Sequence, residues 1–303
     1  MKNTIQSKWR REDFQRLRTL EYIPKEHIDF VESIAEAHCR AKDFLAGDAI
    51  YPHLSIEKAQ EMLSLGFPLL TIDRMSIRSE GLRAHLEEIC HILSKYRGLD
   101  SNQIEVLVKS EEQKNLDLKE LIRKTLFHDS DYLRGVSEKL SLDENILIFI
   151  AFTLARPLFE LAAYEMRDML IEFPWWKNIC PACGSDPFMA RMRREDGMRI
   201  LRCSLCSTEW KFARVKCPFC KNEEPKSLKF FYYQEESPYR LYVCDQCKRY
   251  IKCVDERKID QTRRIDLSVE DMVTLYLDAL AREKGYLSPS ISQDADSQGL
   301  TSG

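Results

Sequence analysis

After Pro24, the apolar residues Ile28, Val31, Ile34 and Ala35 recur about one turn apart, and their spacing predicts a helix over 25–46. Leu82, Leu86, Ile89, Leu93 and Tyr96 follow in steps of four and three, an amphipathic helix closed by Gly98. Ser141-x-x-Glu144 has the form of a capping box and opens the most apolar stretch, Asn145 to Ala155. That run falls well short of the ~20 residues a membrane span requires, so no span is expected. Pro157 should kink or restart the helix, which would continue to Phe173. Apolar on nearly every face, it reads as a central core helix.

Pro174-Trp175-Trp176 marks a change of pattern. Phe188–Arg193 and Met198–Arg202 flank Asp196-Gly197, a strong hairpin dipeptide. Leu228–Gln234 and Tyr239–Val243 flank a second turn at Glu235-Glu236-Ser237-Pro238, and Tyr250–Val254 reads as a further strand. A last helix is expected over Glu270 to Lys284, with Ser268 as its N-cap and Gly285 after it. From Ser288 the Ser, Asp, Gln and Gly composition reads as a disordered tail.

Composition sharpens this outline. The chain has 303 residues, enough for about two domains. Only 10 are glycine, and these lie too far apart for a dinucleotide-binding or phosphate-cradling loop. Cysteine is the informative residue: nine of the 11 fall between Cys180 and Cys253, and eight form four C-x-x-C pairs. Chance would supply roughly 0.4 such pairs at this frequency. No apolar leader follows the first methionine, which points to a reducing cytoplasm rather than a disulfide framework.

In that setting the pairs read as metal ligands, each placing two thiolates on one tight turn. The intervals between successive pairs leave room for a hairpin between the first two and between the last two. The expected sites are therefore Cys180, Cys183, Cys203 and Cys206, and Cys217, Cys220, Cys244 and Cys247. No histidine follows His128, so both sites are all-cysteine, a donor set that suits zinc and iron alike. The fold class is α+β: an all-helical N-terminal domain, two tandem rubredoxin-like or zinc-ribbon modules and a C-terminal helix. The expected divisions are 1–174, 175–212, 213–260 and 261–287, with the tail at 288–303. Cys39, Cys90 and Cys253 read as packed thiols, and the six histidines as ordinary core or surface residues.

The net charge of −3 hides an asymmetry. Residues 177–258 hold 18 Lys and Arg against 11 Asp and Glu. Eight thiolates on two divalent ions would remove about four of those seven positive charges, which weakens a nucleic-acid reading, because such affinity rests on phosphate neutralisation. Trp210, Tyr232, Tyr233, Tyr239 and Tyr242 are candidate anchors for a protein partner, Trp210 being expected at the surface. On strands, about half of the tyrosines should pack inward. No catalytic constellation is visible, so no enzyme activity is expected.

Cys-Pro-Ala-Cys-Gly at 180–184, Arg-Ile-Leu-Arg-Cys-Ser-Leu-Cys-Ser-Thr-Glu-Trp at 199–210 and Arg-Val-Lys-Cys-Pro-Phe-Cys at 214–220 resemble the formate dehydrogenase accessory protein family FdhE. So do Cys-Asp-Gln-Cys-Lys-Arg-Tyr-Ile-Lys at 244–252 and the final helix, Leu-Tyr-Leu-Asp-Ala-Leu-Ala-Arg-Glu-Lys-Gly-Tyr at 275–286. The resemblance is dense from about 175 to 286 and looser before. It implies a non-catalytic cytoplasmic maturation factor that associates with the molybdenum- or tungsten-containing catalytic subunit of formate dehydrogenase before export. It further implies iron in rubredoxin-like sites, with the eight paired cysteines matching one for one. Two other readings are a rubredoxin-like redox protein acting on a metalloenzyme client and a zinc-ribbon nucleic-acid binder.

Overall fold

The computed structural model describes residues 10–50, 54–77, 79–171, 173–234 and 237–288. The chain divides into two units, residues 1–172 and 173–303.

The first unit is built from helices. They are α1 (Arg11–Arg18), α2 (Lys25–Asp48), α3 (Ile56–Leu65), α4 (Ser79–Arg97), α5 (Ser101–Glu112), α6 (Leu118–Leu126), α7 (Ser130–Leu140), α8 (Glu144–Glu165) and α9 (Arg167–Ile171). Beside them a short antiparallel pair, β1 (Ala49–Ile50) and β2 (Ser76–Ile77), joins the loops after α2 and before α4. The core lies where α2 and α4 pack on α8, through Ile28, Ala37, Leu45, Leu86, Ile89, Leu147, Ile150, Leu154 and Leu158. All of these are buried at helical spacing, the pattern the sequence carries.

The start of α8 differs from the capping box expected at Ser141. Ser141 instead adopts φ 52° and terminates α7. Asp143 is the true N-cap, its carboxylate accepting from Asn145 N at 2.7 Å. Asp143 directly precedes the first turn, where its carboxylate meets the amide of Asn145, whereas Ser141 is spent on stopping the helix before it. The helix also continues through Pro157 without restarting and stops at Met166 rather than continuing to Phe173. By length and composition α8 could cross a membrane, being longer than the apolar run suggests, although 67% of its apolar window is buried inside the fold.

The second unit holds one sheet. Its strands are β3 (Pro187–Met192), β4 (Arg199–Cys203), β5 (Glu209–Phe212), β6 (Leu228–Phe231), β7 (Tyr239–Cys244) and β8 (Tyr250–Asp255), in the spatial order β5-β4-β3-β8-β7-β6. The two hairpins form as the sequence suggests, each extended to a three-stranded meander. Gly197 takes φ 66° in the first turn, and a β-carbon there would meet an Arg257 guanidinium nitrogen at 3.0 Å. The meanders are joined by a parallel pairing of β3 with β8, from Met189 opposite Lys252 to Met192 opposite Asp255. What reads in sequence as two ribbons is a single sheet.

The C-terminal helix is two helices, α10 (Leu267–Val273) and α11 (Leu275–Glu283). Asp266, not Ser268, caps the first; its carboxylate accepts from Ser268 N at 3.0 Å. Thr274 interrupts the path at φ −108°, ψ 23°, where its hydroxyl donates back to Glu270 O at 2.7 Å. Gly285, at φ 77°, ends the second helix. Leu287 then bridges to the strand region, its N–H donating to Lys248 O at 2.6 Å. Apart from Ser288, the expected tail lies outside the described residues, as do Glu235 and Glu236 of the second turn.

Candidate metal centres

Each C-x-x-C pair is folded by the same local device. The first cysteine's N–H donates to the carbonyl five residues on: Cys180 to Ser185 at 3.0 Å, Cys203 to Thr208 at 2.9 Å, Cys217 to Asn222 at 2.9 Å and Cys244 to Arg249 at 3.1 Å. The residue after the second cysteine is left-handed every time: Gly184 at φ 79°, Ser207 at 61°, Lys221 at 63° and Lys248 at 53°. Only one of the four is glycine, so three side chains accept strain to close the turn. Backbone amides also aim at sulfur, with Leu205 N and Cys206 N at 3.3 and 3.4 Å from Cys203 Sγ and Phe219 N at 3.4 Å from Cys217 Sγ.

These turns bring the expected cysteines together in two groups. The sulfurs of Cys180, Cys183, Cys203 and Cys206 lie within 4.8 Å of one another, as do those of Cys217, Cys220, Cys244 and Cys247. In the first group Cys180 and Cys206 sulfurs are 3.5 Å apart and those of Cys183 and Cys203 3.4 Å; in the second, Cys217–Cys247 and Cys220–Cys244 are both 3.7 Å. Four thiolates at the usual ~2.3 Å around a tetrahedral ion stand about 3.8 Å apart, so the groups have nearly the right edge. All are free thiols, far outside disulfide bonding distance.

The electrostatics favour a cation. Without one, the four sulfurs of a group compete for protons. Hydrogen bonds from Cys217, with those from Cys220 and Cys244, bring the Cys247 thiol down to about 5, whereas its partner Cys217 is pushed up by Cys247 and by burial. In the first group burial and the neighbouring thiols push Cys180 up. Cys183 goes down despite its burial, because Cys180, Cys203 and Cys206 hydrogen-bond to its anion. Four thiolates crowded together repel one another and need a central cation. Each group could therefore hold one metal ion.

The two groups are not alike. In the first, only Cys183 is partly exposed, and Ser185 Oγ and Thr208 Oγ1 lie 3.4 and 3.1 Å from Cys183 and Cys206 sulfur. In the second, both Cys220 and Cys247 are partly exposed. Struts tie the surroundings of one to the other. Asn178 Nδ2 donates to Phe219 O at 3.2 Å, and Arg249 Nη2 donates to Asp186 at 2.8 Å while its guanidinium lies 4.0 Å over the Phe219 ring. Arg199 Nη1 donates to Lys216 O at 3.1 Å. Sequence reasoning gave Arg199 no role. The signal it carries is a strand, Arg-Ile-Leu-Arg-Cys, buried at every position, arginines included.

The other singled-out residues fall into place around this frame. Cys253 is buried and burial pushes its thiol up to about 12; Cys90 is buried in the helical unit and shifted the same way, and Cys39 is half-buried. Trp210 is not the exposed anchor expected. It is 5% exposed, with Nε1 donating to Lys177 O at 2.9 Å, because β5 turns that face inward. Tyr239 is also buried, whereas Tyr232 and Tyr233 are exposed together with Phe230.

Fold and site together define a protein with a helical unit and a cysteine-ribbon unit carrying two four-thiol centres. Residues 179–214 match the family description "FdhE, central domain", and residues 215–293 match "FdhE, C-terminal domain". Residues 179–293 are therefore similar to the central and C-terminal domains of the FdhE family. It is 40% identical over 149 residues to an FdhE homolog of Aquifex aeolicus, covering 48% of this chain and 51% of that one. It is 35% identical over 120 residues to a homolog of Pseudomonas aeruginosa (37% of each chain) and 33% identical over 126 residues to the FdhE of Escherichia coli O127:H6 (40% and 38%). The matched stretch thus spans about half or less of these relatives' length. The crystal structure of the FdhE protein from Pseudomonas aeruginosa shares the fold, with a TM-score of 0.57 at 21% identity over 91% of this chain and 90% of that one.

Proposed function

We propose that this chain is an accessory protein in the maturation of a formate dehydrogenase, acting in the cytoplasm on the molybdenum- or tungsten-containing catalytic subunit before export. In this reading Cys180, Cys183, Cys203 and Cys206 ligate one metal ion and Cys217, Cys220, Cys244 and Cys247 a second, and no reaction is catalysed. One observation carries it: the stretch matching the FdhE central and C-terminal domains is the stretch that builds both four-thiol groups. The exposed aromatic cluster of Phe230, Tyr232 and Tyr233 offers anchoring surface for a client. Pull-down of the catalytic subunit from cytoplasm by the tagged chain tests the reading. Stable association is expected, and none at micromolar concentrations overturns it.

A second reading is electron transfer through iron in the second centre, favoured by the partial exposure of Cys220 and Cys247. Ferric iron on four thiolates absorbs visibly and bleaches on reduction. A colourless, zinc-loaded protein sinks this alternative and leaves the first reading standing.

A further inference from the structure

Arg199 belongs to β4, whose last residue is Cys203 of the first centre, yet its guanidinium bonds Lys216 O, the residue before Cys217 of the second. The residue is 2% exposed. Its Nη1 donates to Lys216 O at 3.1 Å and Ala213 O at 3.5 Å, and its guanidinium carbon lies 4.6 Å from the centre of the Tyr242 ring. Its Nε has no partner, and no carboxylate pairs with it among the described residues. A buried cation so placed is strongly destabilising unless a counter-charge is near.

The counter-charge is legible in the cleft that Arg199 lines. This hollow of about 320 Å³ is shared with Cys217 and Cys244 and has no acidic residue in its wall. Four other wall cations are answered from outside it: Lys216 by Glu223, Lys229 by Asp245, Arg240 by Asp255 and Arg249 by Asp186, all within 3.3 Å. Arg199 alone is both buried and unanswered. A divalent ion held by four thiolates is a dianion, and two of the ligand residues, Cys217 and Cys244, line the same cleft.

We propose that Arg199, supplied by the first ribbon, is the positioning and charge-balancing residue of the second metal centre. Its guanidinium offsets the tetrathiolate dianion, and its bond to Lys216 O fixes the turn that begins at Cys217. At the first centre the hydroxyls of Ser185 and Thr208 lie 3.4 and 3.1 Å from the sulfurs of Cys183 and Cys206. Retention of metal at the second centre is therefore controlled by a residue of the first ribbon. This rests on the reading that both four-thiol groups bind metal.

The experiment loads the full chain with Co(II) and follows thiolate-to-cobalt absorption during competition with a chelator. Alkylation of the cysteines freed at each stage, read by mass spectrometry, assigns each release to its centre. Uptake of two equivalents by the wild type tests the metal reading by itself. Given that uptake, Arg199→Met should release cobalt from Cys217, Cys220, Cys244 and Cys247 at least ten-fold more readily, with the first centre unchanged. Arg199→Lys keeps the charge and should stay within three-fold of wild type, and it serves also if the methionine variant fails to fold. Wild-type retention in Arg199→Met, an equal loss at both centres, or a lysine variant losing metal ten-fold overturns the proposal.

Discussion

His85 Nε2 lies 3.2 Å from the carbonyl oxygen of Thr153, the acceptor that Pro157 leaves without its helical partner. In an unbroken helix the amide of residue 157 would donate to that oxygen, but proline has none. His85, reaching across from α4, supplies the missing donor, so α8 continues through its own proline. Replacing His85 with Leu should cost about 1–3 kcal/mol by leaving a buried carbonyl unpaired. Adding Pro157→Ala should recover part of that loss by restoring the amide. A double-mutant cycle in urea checks this, and strict additivity of the two changes would contradict it.

The same histidine gives the helical unit a pH dependence. Burial, the largest influence, lowers His85 to about 4 from the ordinary 6.5, outweighing the Thr153 carbonyl and Glu88, which raise it; Arg40 lowers it further. Burial and then Arg156 likewise hold His38 well down, and the two rings stand 5.6 Å apart. The unfolded chain therefore takes up these protons first. Stability is complete above about 6.5 and falls as pH drops toward 4, by about 3 kcal/mol for a shift of this size. Urea midpoints of the full chain between pH 7 and 4.5 should show this slope, reduced in His85→Gln.

Lys252 anchors the C-terminal helices to the sheet. It is 3% exposed, and its ammonium donates to Asp278 Oδ2 at 2.6 Å, Asp271 Oδ1 at 2.7 Å and Asp271 O at 2.9 Å. Lys252→Met leaves half-buried Asp278 with the Tyr250 hydroxyl but without the ammonium, and should destabilise the second unit by about 3 kcal/mol. Hydrogen exchange should place the loosening in α10 and α11. Adding Asp278→Asn should soften the loss.

Removing metal should undo the ribbon unit. A structural ion contributes roughly 10–16 kcal/mol of apparent binding energy, as much as a domain's whole stability. With a strong chelator at pH 7, amide protection across β3 to β8 should collapse. Cys217→Ser should lose one of two bound equivalents, counted by elemental analysis. Full protection in the chelated protein would show that the thiols need no ion.

Legibility in the sequence followed the range of the forces at work. The knuckles and the Asp196-Gly197 turn are set by neighbours a few residues apart, so C-x-x-C spacing and a turn dipeptide were enough. The helices marked by Ile28 to Ala35 and Leu82 to Tyr96 were plain because burial stamps its period on them. Helix α5 carries less of that stamp; α6 carries it through Leu118, Leu121, Ile122 and Thr125, but over only nine residues. The β3–β8 pairing joins residues some 60 positions apart, and nothing local at Ala190 or Cys253 announces it. Trp210 failed the surface expectation because β5 is only four residues long, too short to show its alternation. The capping errors at Ser141 and Ser268 share one cause: an aspartate close by took the amide instead.

The parallel ladder between β3 and β8 also bears on how such a molecule can change over generations. Two tandem ribbons on a string could be duplicated, swapped or deleted as cassettes. Here, excising either one would strip a central strand of its neighbour and leave an open edge ready to pair with another chain.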